Sequence, residues 1–194
     1  MKKSLLLAVS LSLFFVACTK SDTVSTRPAA GNPNATVVVD EFADLQCPAC
    51  KGAYEKITKP ILEKYGKDIK FVFKHFPLRS IHRFAMDAAE MSECAADQGK
   101  FWEFVDTDYA NQEKLSFESL VKWAGDVGID KTAAERCWKS HKKRNLVLND
   151  YKEGRAKGVE GTPTYFVNGQ KVDTGFDTLS AAIEAATKKA VMPL

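Results

Sequence analysis

The 194-residue chain has only three histidines, and beyond one Cys-x-x-Cys it has no second closely spaced cysteine or histidine pair. A structural zinc site needs four ligands, so a lone Cys-x-x-Cys without two more nearby argues against one. His75, His82 and His141 lack any mutual ligand spacing and read as structural. No apolar run approaches the roughly 20 residues of a membrane-spanning helix. Neither charge sign dominates: without Lys2 and Lys3, the 28 basic residues fall to 26 against 25 acidic ones. That balance gives no electrostatic reason to expect nucleic-acid binding. There is no internal repeat. Neither a metal nor an organic cofactor is implied.

What is present begins at the N-terminus. Met1–Ala17 opens with Lys2 and Lys3 and continues in the apolar run Ser4–Val16. That run is too short to span a bilayer but suits the core of a secretory signal peptide. Phe15-Val16-Ala17-Cys18 resembles the lipobox of bacterial lipoproteins, in which the cysteine becomes the lipidated first residue. The chain has five cysteines. An odd thiol is a liability in an oxidising compartment, whereas a lipid on Cys18 leaves four, enough for two pairs. The expectation is an exported protein, in a bacterial periplasm or at the cell surface, anchored through Cys18.

Residues 18–35 then form an expected flexible tether. Thr19–Asn34 is rich in Ser, Thr, Pro, Asn and Gly, with no apolar period. Such a tether has a mean span of roughly 20 Å and a ceiling near ~55 Å. From Thr36 the pattern turns structural. Val37-Val38-Val39 and Phe42 predict a buried central strand. Tyr54, Ile57, Ile61, Leu62 and Tyr65 follow at helical spacing, with Pro60 expected to kink the helix. Ile69, Phe71 and Phe73 alternate with Lys70, Val72 and Lys74, which predicts a second strand, parallel to the first across the helical crossover.

Residues 81–157 read as almost wholly helical. One helix begins at Ala85, another contains Phe101-Trp102 and Phe104, and a third follows Ser116 as N-cap. A long helix is predicted from about Thr132 through Trp138 and Leu146 to Ala156. Lys139, Lys142, Lys143 and Arg144 read as its solvated face. Strands return at Thr164–Val167 and Gln170–Val172 across an Asn168-Gly169 turn, and Thr178–Ala190 closes the chain as a helix. The order is βαβ, a helical block, then ββα.

Between the first strand and its helix sits Cys47-Pro48-Ala49-Cys50. The spacing alone fits half a zinc site, a structural bridge or a redox pair. Context favours the redox pair. Cys47 falls at a helix N-terminus, where free N–H groups and the helix dipole favour the reactive thiolate. Pro48 in the first turn costs no hydrogen bond. Cys50, one turn on, is placed to resolve a mixed disulfide. Gly161-Thr162-Pro163-Thr164 precedes the returning strand, where a proline is tolerated at the first residue.

Three ordered stretches resemble the DsbA-like branch of the thioredoxin superfamily over about residues 36–190. They are Glu41-Phe42-Ala43-Asp44-Leu45-Gln46-Cys47-Pro48-Ala49-Cys50; Glu93-Cys94-Ala95 with Gln98-Gly99-Lys100-Phe101-Trp102-Glu103; and Gly158-Val159-Glu160-Gly161-Thr162-Pro163-Thr164-Tyr165-Phe166-Val167-Asn168-Gly169. The lipoprotein-anchored members are the more similar. The resemblance implies an α/β thioredoxin-like fold (residues 36–80 and 158–194) interrupted by an all-helical insertion (81–157). It further implies that Pro163 is cis against the cysteine pair, with the Thr162 backbone pairing to substrate. The activity expected is thiol–disulfide exchange with cysteine-containing exported proteins, as an oxidase forming disulfides. A reductase or isomerase of the same fold, or a non-redox binding or chaperone lipoprotein, is the alternative. A membrane redox partner, DsbB-like or DsbD-like, must reset the dithiol after each turnover. The chain departs from the DsbA enzyme in having Pro-Ala between the cysteines, where that enzyme has Pro-His, and Thr162 in place of an apolar residue. Without the histidine, the expected Cys47 pKa lies between about 3.5 and 7.

Two further expectations concern partners. Glu41 lies on the buried strand, where a carboxylate needs pairing, and Lys70 on the neighbouring strand is the expected ion-pair partner. Cys94 and Cys137, both in the helical block, are expected to form a structural disulfide.

Overall fold

The computed structural model describes residues 24–191, so the expected signal peptide and Cys18 lie outside it. Among the described residues the strands β1 (Ala30–Gly31), β2 (Val37–Ala43), β3 (Ile69–His75), β4 (Thr164–Val167) and β5 (Gln170–Val172) form one sheet in the order β1-β3-β2-β4-β5. β2 (Val37–Ala43) is central, as its β-branched run requires, and pairs in parallel with β3 (Ile69–His75). On its other side β4 (Thr164–Val167) runs antiparallel and turns through Asn168 and Gly169, both at positive φ, into β5 (Gln170–Val172). Asn and Gly tolerate that conformation, which a two-residue hairpin turn demands.

Helix α1 (Pro48–Ala53) and helix α2 (Lys59–Tyr65) cover one face of the sheet together with α8 (Phe176–Val191). The kink expected at Pro60 takes the form of a π-helical turn over Tyr54–Thr58. Pro60 has no N–H to offer the carbonyl of Lys56, and a π-turn just before it accommodates the loss. Helices α3 (Ala85–Ala96), α4 (Phe101–Ala110), α5 (Phe117–Asp126), α6 (Lys131–Lys139) and α7 (Arg144–Ala156) lie between β3 and β4. Their core packs on Ala43, Leu45, Cys47, Cys50 and Phe73, at the end of the sheet where β2 finishes. Helix α7 backs the other face, where Gly154 lets it come so close that a Cβ would lie 2.7 Å from the Phe76 ring.

Two expectations need correction. The long helix predicted from Thr132 to Ala156 is two helices, α6 and α7, parted at Ser140–Lys143 with His141 at φ 53°. Three successive ties to α3 override the continuous pattern. Cys137 bonds Cys94, His141 Nδ1 meets Glu90 at 3.0 Å, and Lys143 Nζ reaches Asp97 at 2.8 Å. Lys143 is accordingly buried, not part of a solvated face.

The tether is the second correction, because its C-terminal half is docked. Ala30–Gly31 form β1, antiparallel to Phe71 and Lys70 of β3. Arg27, only 8% exposed, pairs with Glu93 through one Nη and with Asp150 through the other. Ser25 and Thr26 donate to Glu93 and Asp97, and the Trp102 indole donates to the Pro28 carbonyl. A polar, glycine- and proline-rich composition marks an absence of regular structure; it does not stop one arginine from bridging two carboxylates.

Candidate active site

The chain leaves β2, turns at Asp44, and enters α1 at Cys47. Cys47 is the N-cap, in extended conformation, with Pro48 at the first helical position. The turn is tied down from several sides. Asp44 Oδ1 accepts from the Gln46 N–H at 2.8 Å, and Oδ2 accepts from the Leu78 N–H and faces His82 Nδ1, each at 2.8 Å. Gln112, from the helical insertion, donates its amide to the carbonyls of Leu45 at 2.8 Å and Cys47 at 3.1 Å. Neither Asp44 nor Gln112 stood out in the sequence. Gln112 carried no local signal, because it acts across 65 residues of chain.

Cys47 and Cys50 are both free thiols in this structure. The Thr162–Pro163 peptide is cis, and the Thr162 carbonyl lies 3.6 Å from Cys47 Sγ, where it accepts the S–H when the thiol is protonated. Residues 115 apart in sequence thus meet at the sulfur. The Cys50 thiol, hydrogen-bonded to Cys47, does most to bring the Cys47 pKa down to about 5. Burial opposes this, while the Thr162 side chain and the backbone N–H groups of Cys50 and Ala49 assist. Cys50 is fully buried, and burial together with the Cys47 charge pushes its thiol up. It receives the Asp44 N–H at 3.4 Å. The two sulfurs are therefore unlike: one is an outer thiolate at neutral pH, the other an inner thiol.

Glu41 does not pair with Lys70. In the β2–β3 register Lys70 is opposite Val38, while Glu41 is opposite Phe73. Side chains alternate across a sheet, so Lys70 and Glu41 point to opposite faces. Glu41 instead accepts from the Tyr165 hydroxyl at 3.0 Å and the Thr58 hydroxyl at 3.2 Å. Burial raises its carboxyl to about 7 against these two hydrogen bonds. Tyr165 lies opposite Glu41 on β4, two residues after Pro163. A tyrosine in a wholly buried strand was the one available signal, since a buried hydroxyl needs a partner. Cys94 and Cys137 form a disulfide, with Cα atoms 6.0 Å apart.

A family model described as Thioredoxin matches residues 23–185. The chain belongs to the thioredoxin family. Among solved structures, oxidised BdbD from Bacillus subtilis superposes with a TM-score of 0.74 at 24% identity, covering 86% of this chain and 99% of that one. Wolbachia pipientis alpha-DsbA1 gives 0.71 at 22% identity, over 84% and 92% of the two chains. These likenesses show the DsbA-like fold, a thioredoxin sheet interrupted by helices. Curated relatives include Na(+)/H(+) antiporter NhaA 1 of Mycobacterium sp. (strain KMS), 33% identical over 159 residues, 80% of this chain and 26% of that protein. Na(+)/H(+) antiporter NhaA 3 of Salinispora tropica is 34% identical over 158 residues, 80% of this chain and 24% of that protein. This thioredoxin-family chain thus spans about a quarter of the length of those relatives. Among the described residues no helix is long and apolar enough to cross a membrane.

Proposed function

We propose that this thioredoxin-family protein is a thiol–disulfide oxidoreductase that forms disulfides in exported, cysteine-containing proteins. Its Cys47–Cys50 pair exchanges with a membrane redox partner that restores the disulfide, and a lipid on Cys18 anchors it in the periplasm or at the cell surface. The observation that carries the reading is the contrast between the two sulfurs beside the cis-proline. In the oxidising direction a substrate thiolate attacks Cys47 Sγ, and the Cys47–Cys50 bond breaks with Cys50 leaving and taking a proton. A second substrate thiolate then attacks the substrate sulfur of the mixed disulfide. Cys47 leaves as a thiolate, the substrate has lost two electrons, and the enzyme holds the dithiol. A sulfur with a pKa of about 5 is a good leaving group, which drives this last step. The Thr162 carbonyl, 3.6 Å from Cys47 Sγ, supports a role for the Thr162 backbone in pairing with an extended substrate strand.

Thiolate stability supports the oxidising direction. Whatever stabilises the Cys47 thiolate stabilises the reduced enzyme and makes the disulfide more oxidising. A Cys47 pKa of about 5 lies between those of the DsbA pair (about 3.5, about −120 mV) and thioredoxin (about 7, about −270 mV), which supports a potential between the two. Equilibration with glutathione or dithiothreitol, followed by alkylation of Cys47, measures it. A potential at or below about −270 mV would assign the protein as a reductase instead.

A further inference from the structure

The docked segment changes what a lipid on Cys18 would do. β1 runs antiparallel to β3, with Ala30 opposite Phe71, so moving back from Ala30 to Arg27 advances toward His75. β2 is parallel to β3 and Ala43 is opposite His75, four residues before Cys47. The segment therefore leaves the domain at the same end of the sheet as the reactive cysteine. Its most N-terminal polar tie among the described residues is Ser25 to Glu93. From Cys18 to Ser25 there are seven residue steps, a reach of at most about 25 Å, less than half of what an undocked tether offers.

The surface at that end carries a second feature. The loop after β3 presents Ile81, 72% exposed, with the exposed cations Arg79 and Arg83 on either side. Val24, 67% exposed, is the other widely exposed aliphatic side chain among the described residues. The loop and the docked segment both reach α7. Arg79 lies over the Tyr151 ring and Arg27 pairs with Asp150. The loop is also fixed to the active-site turn, through Leu78 and His82 to Asp44 and through the Phe84 N–H to Gln46. An exposed isoleucine between two arginines suits an anionic bilayer surface, with the apolar tip entering the headgroup region and the guanidinium groups on lipid phosphates. Such a contact is weak alone, but a short anchor on the same end supplies a high local concentration.

We propose that the Arg79–Ile81–Arg83 loop and the docked Ser25–Gly31 segment together hold the Cys47 end of the domain against an anionic membrane surface. This rests on the anchored reading given above, and it places exchange with a membrane-embedded partner at the bilayer, while exported substrates reach Cys47 when the weak loop contact opens.

The test uses the full chain, processed and lipidated in a bacterial host and reconstituted into phosphatidylglycerol-containing vesicles with or without brominated acyl chains. In Ile81→Trp, brominated lipid should quench the added fluorescence several-fold more than that of wild type. The extra quenching should vanish in phosphatidylcholine vesicles and in Arg79→Glu/Arg83→Glu. Reduced Cys47 should react more slowly with a large polyethylene-glycol maleimide on vesicles than in detergent, and at equal rates with N-ethylmaleimide. A flexible insert after Thr19 should restore the rate with the large reagent. Lipidated protein that floats with vesicles yet shows no extra quenching overturns the orientation and leaves the anchor standing. A mass spectrum of the processed chain without lipid on Cys18 overturns the anchor itself, and the orientation with it. Photocrosslinks from position 81 that land on protein and not lipid would overturn the lipid assignment.

Discussion

Glu41 has exchanged water for two hydroxyls, and that exchange sets its charge. Burial disfavours the carboxylate, while Tyr165 and Thr58 each supply one hydrogen bond, which leaves the group titrating at about 7. The folded pKa lies above the ordinary 4.5, so the folded protein holds the proton more tightly than the unfolded chain does. Glu41 is then stability-neutral below about pH 4.5, and its contribution turns unfavourable as pH rises through 7, by about 3 kcal/mol at the limit. Glu41→Gln keeps the hydrogen-bonding shape and removes the titration. Unfolding free energies from urea titrations at pH 5 and pH 8 should fall with pH in the wild type by about 2.5 kcal/mol more than in the variant. Equal slopes would show that the carboxyl is not held neutral. Cys47 shows the opposite sign, with the charged form favoured. The pair Cys47–Cys50 therefore stands with a stabilised anion on one sulfur and a proton on the other.

At the level of elements, the strands and the active-site turn were legible because local chemistry and tertiary structure ask for the same thing. Val37–Val39 is β-branched and central, Cys47 falls where β2 hands over to α1, and Asn168-Gly169 turns a hairpin. The elements that escaped reading are those set by contacts between distant residues. The apolar spacing of Trp138 and Leu146 continues smoothly through residues 140–143, but Cys94 and Glu90 on α3 and Asp97 at its C-cap each pull a different residue out of line. Glu41 was recognisable as a buried acid, whereas its partners depended on the register of β4 and on the π-turn that carries Thr58. The disulfide belongs to this scale. It closes 43 residues of separation and joins α3 to α6, which in the chain-entropy model stabilises the native state by about 4 kcal/mol. Cys94→Ala/Cys137→Ala should lower the urea-unfolding free energy by about that amount. It should also loosen α6 first, seen as faster amide exchange over 131–139 than over β2. A loss confined to a few tenths of a kcal/mol would mean that Glu90, Asp97 and their partners already fix the helical insertion unaided.

On the scale of the whole molecule, the question is what holds a helical insertion in one pose on a sheet so that Gln112 can reach the Cys47 turn. Part of the answer is Arg27. Its guanidinium joins Glu93 on α3 to Asp150 on α7, and Asp150 in turn accepts the His75 N–H from β3 at 3.0 Å. Three separate layers thus share one buried charge network with the N-terminal segment. Burial pushes the Glu93 carboxyl up, yet the hydrogen bond from His75, the charges of Arg27 and His75, and the Ser25 hydroxyl bring it down to about 2. A depressed carboxyl contributes stability above its unfolded pKa of 4.5 and loses it as pH falls toward 2. Removing Arg27 leaves two carboxylates with fewer counter-charges in a dry site, and breaking one partner of such a pair costs about 3–5 kcal/mol. His75, Ser25 and Lys74 remain, so Arg27→Ala should fall at the lower end, about 3 kcal/mol. Acid unfolding should begin at higher pH than in the wild type. Arg27→Lys, which keeps the charge but cannot fork to both carboxylates, should recover only part of the loss. Exchange of the β1–β3 amides near Ala30 and Phe71 should rise in both variants, because the strand there is only two residues long. Unchanged acid unfolding in Arg27→Ala would mean that Glu93 is held by His75 alone and that the N-terminal segment merely lies along the domain.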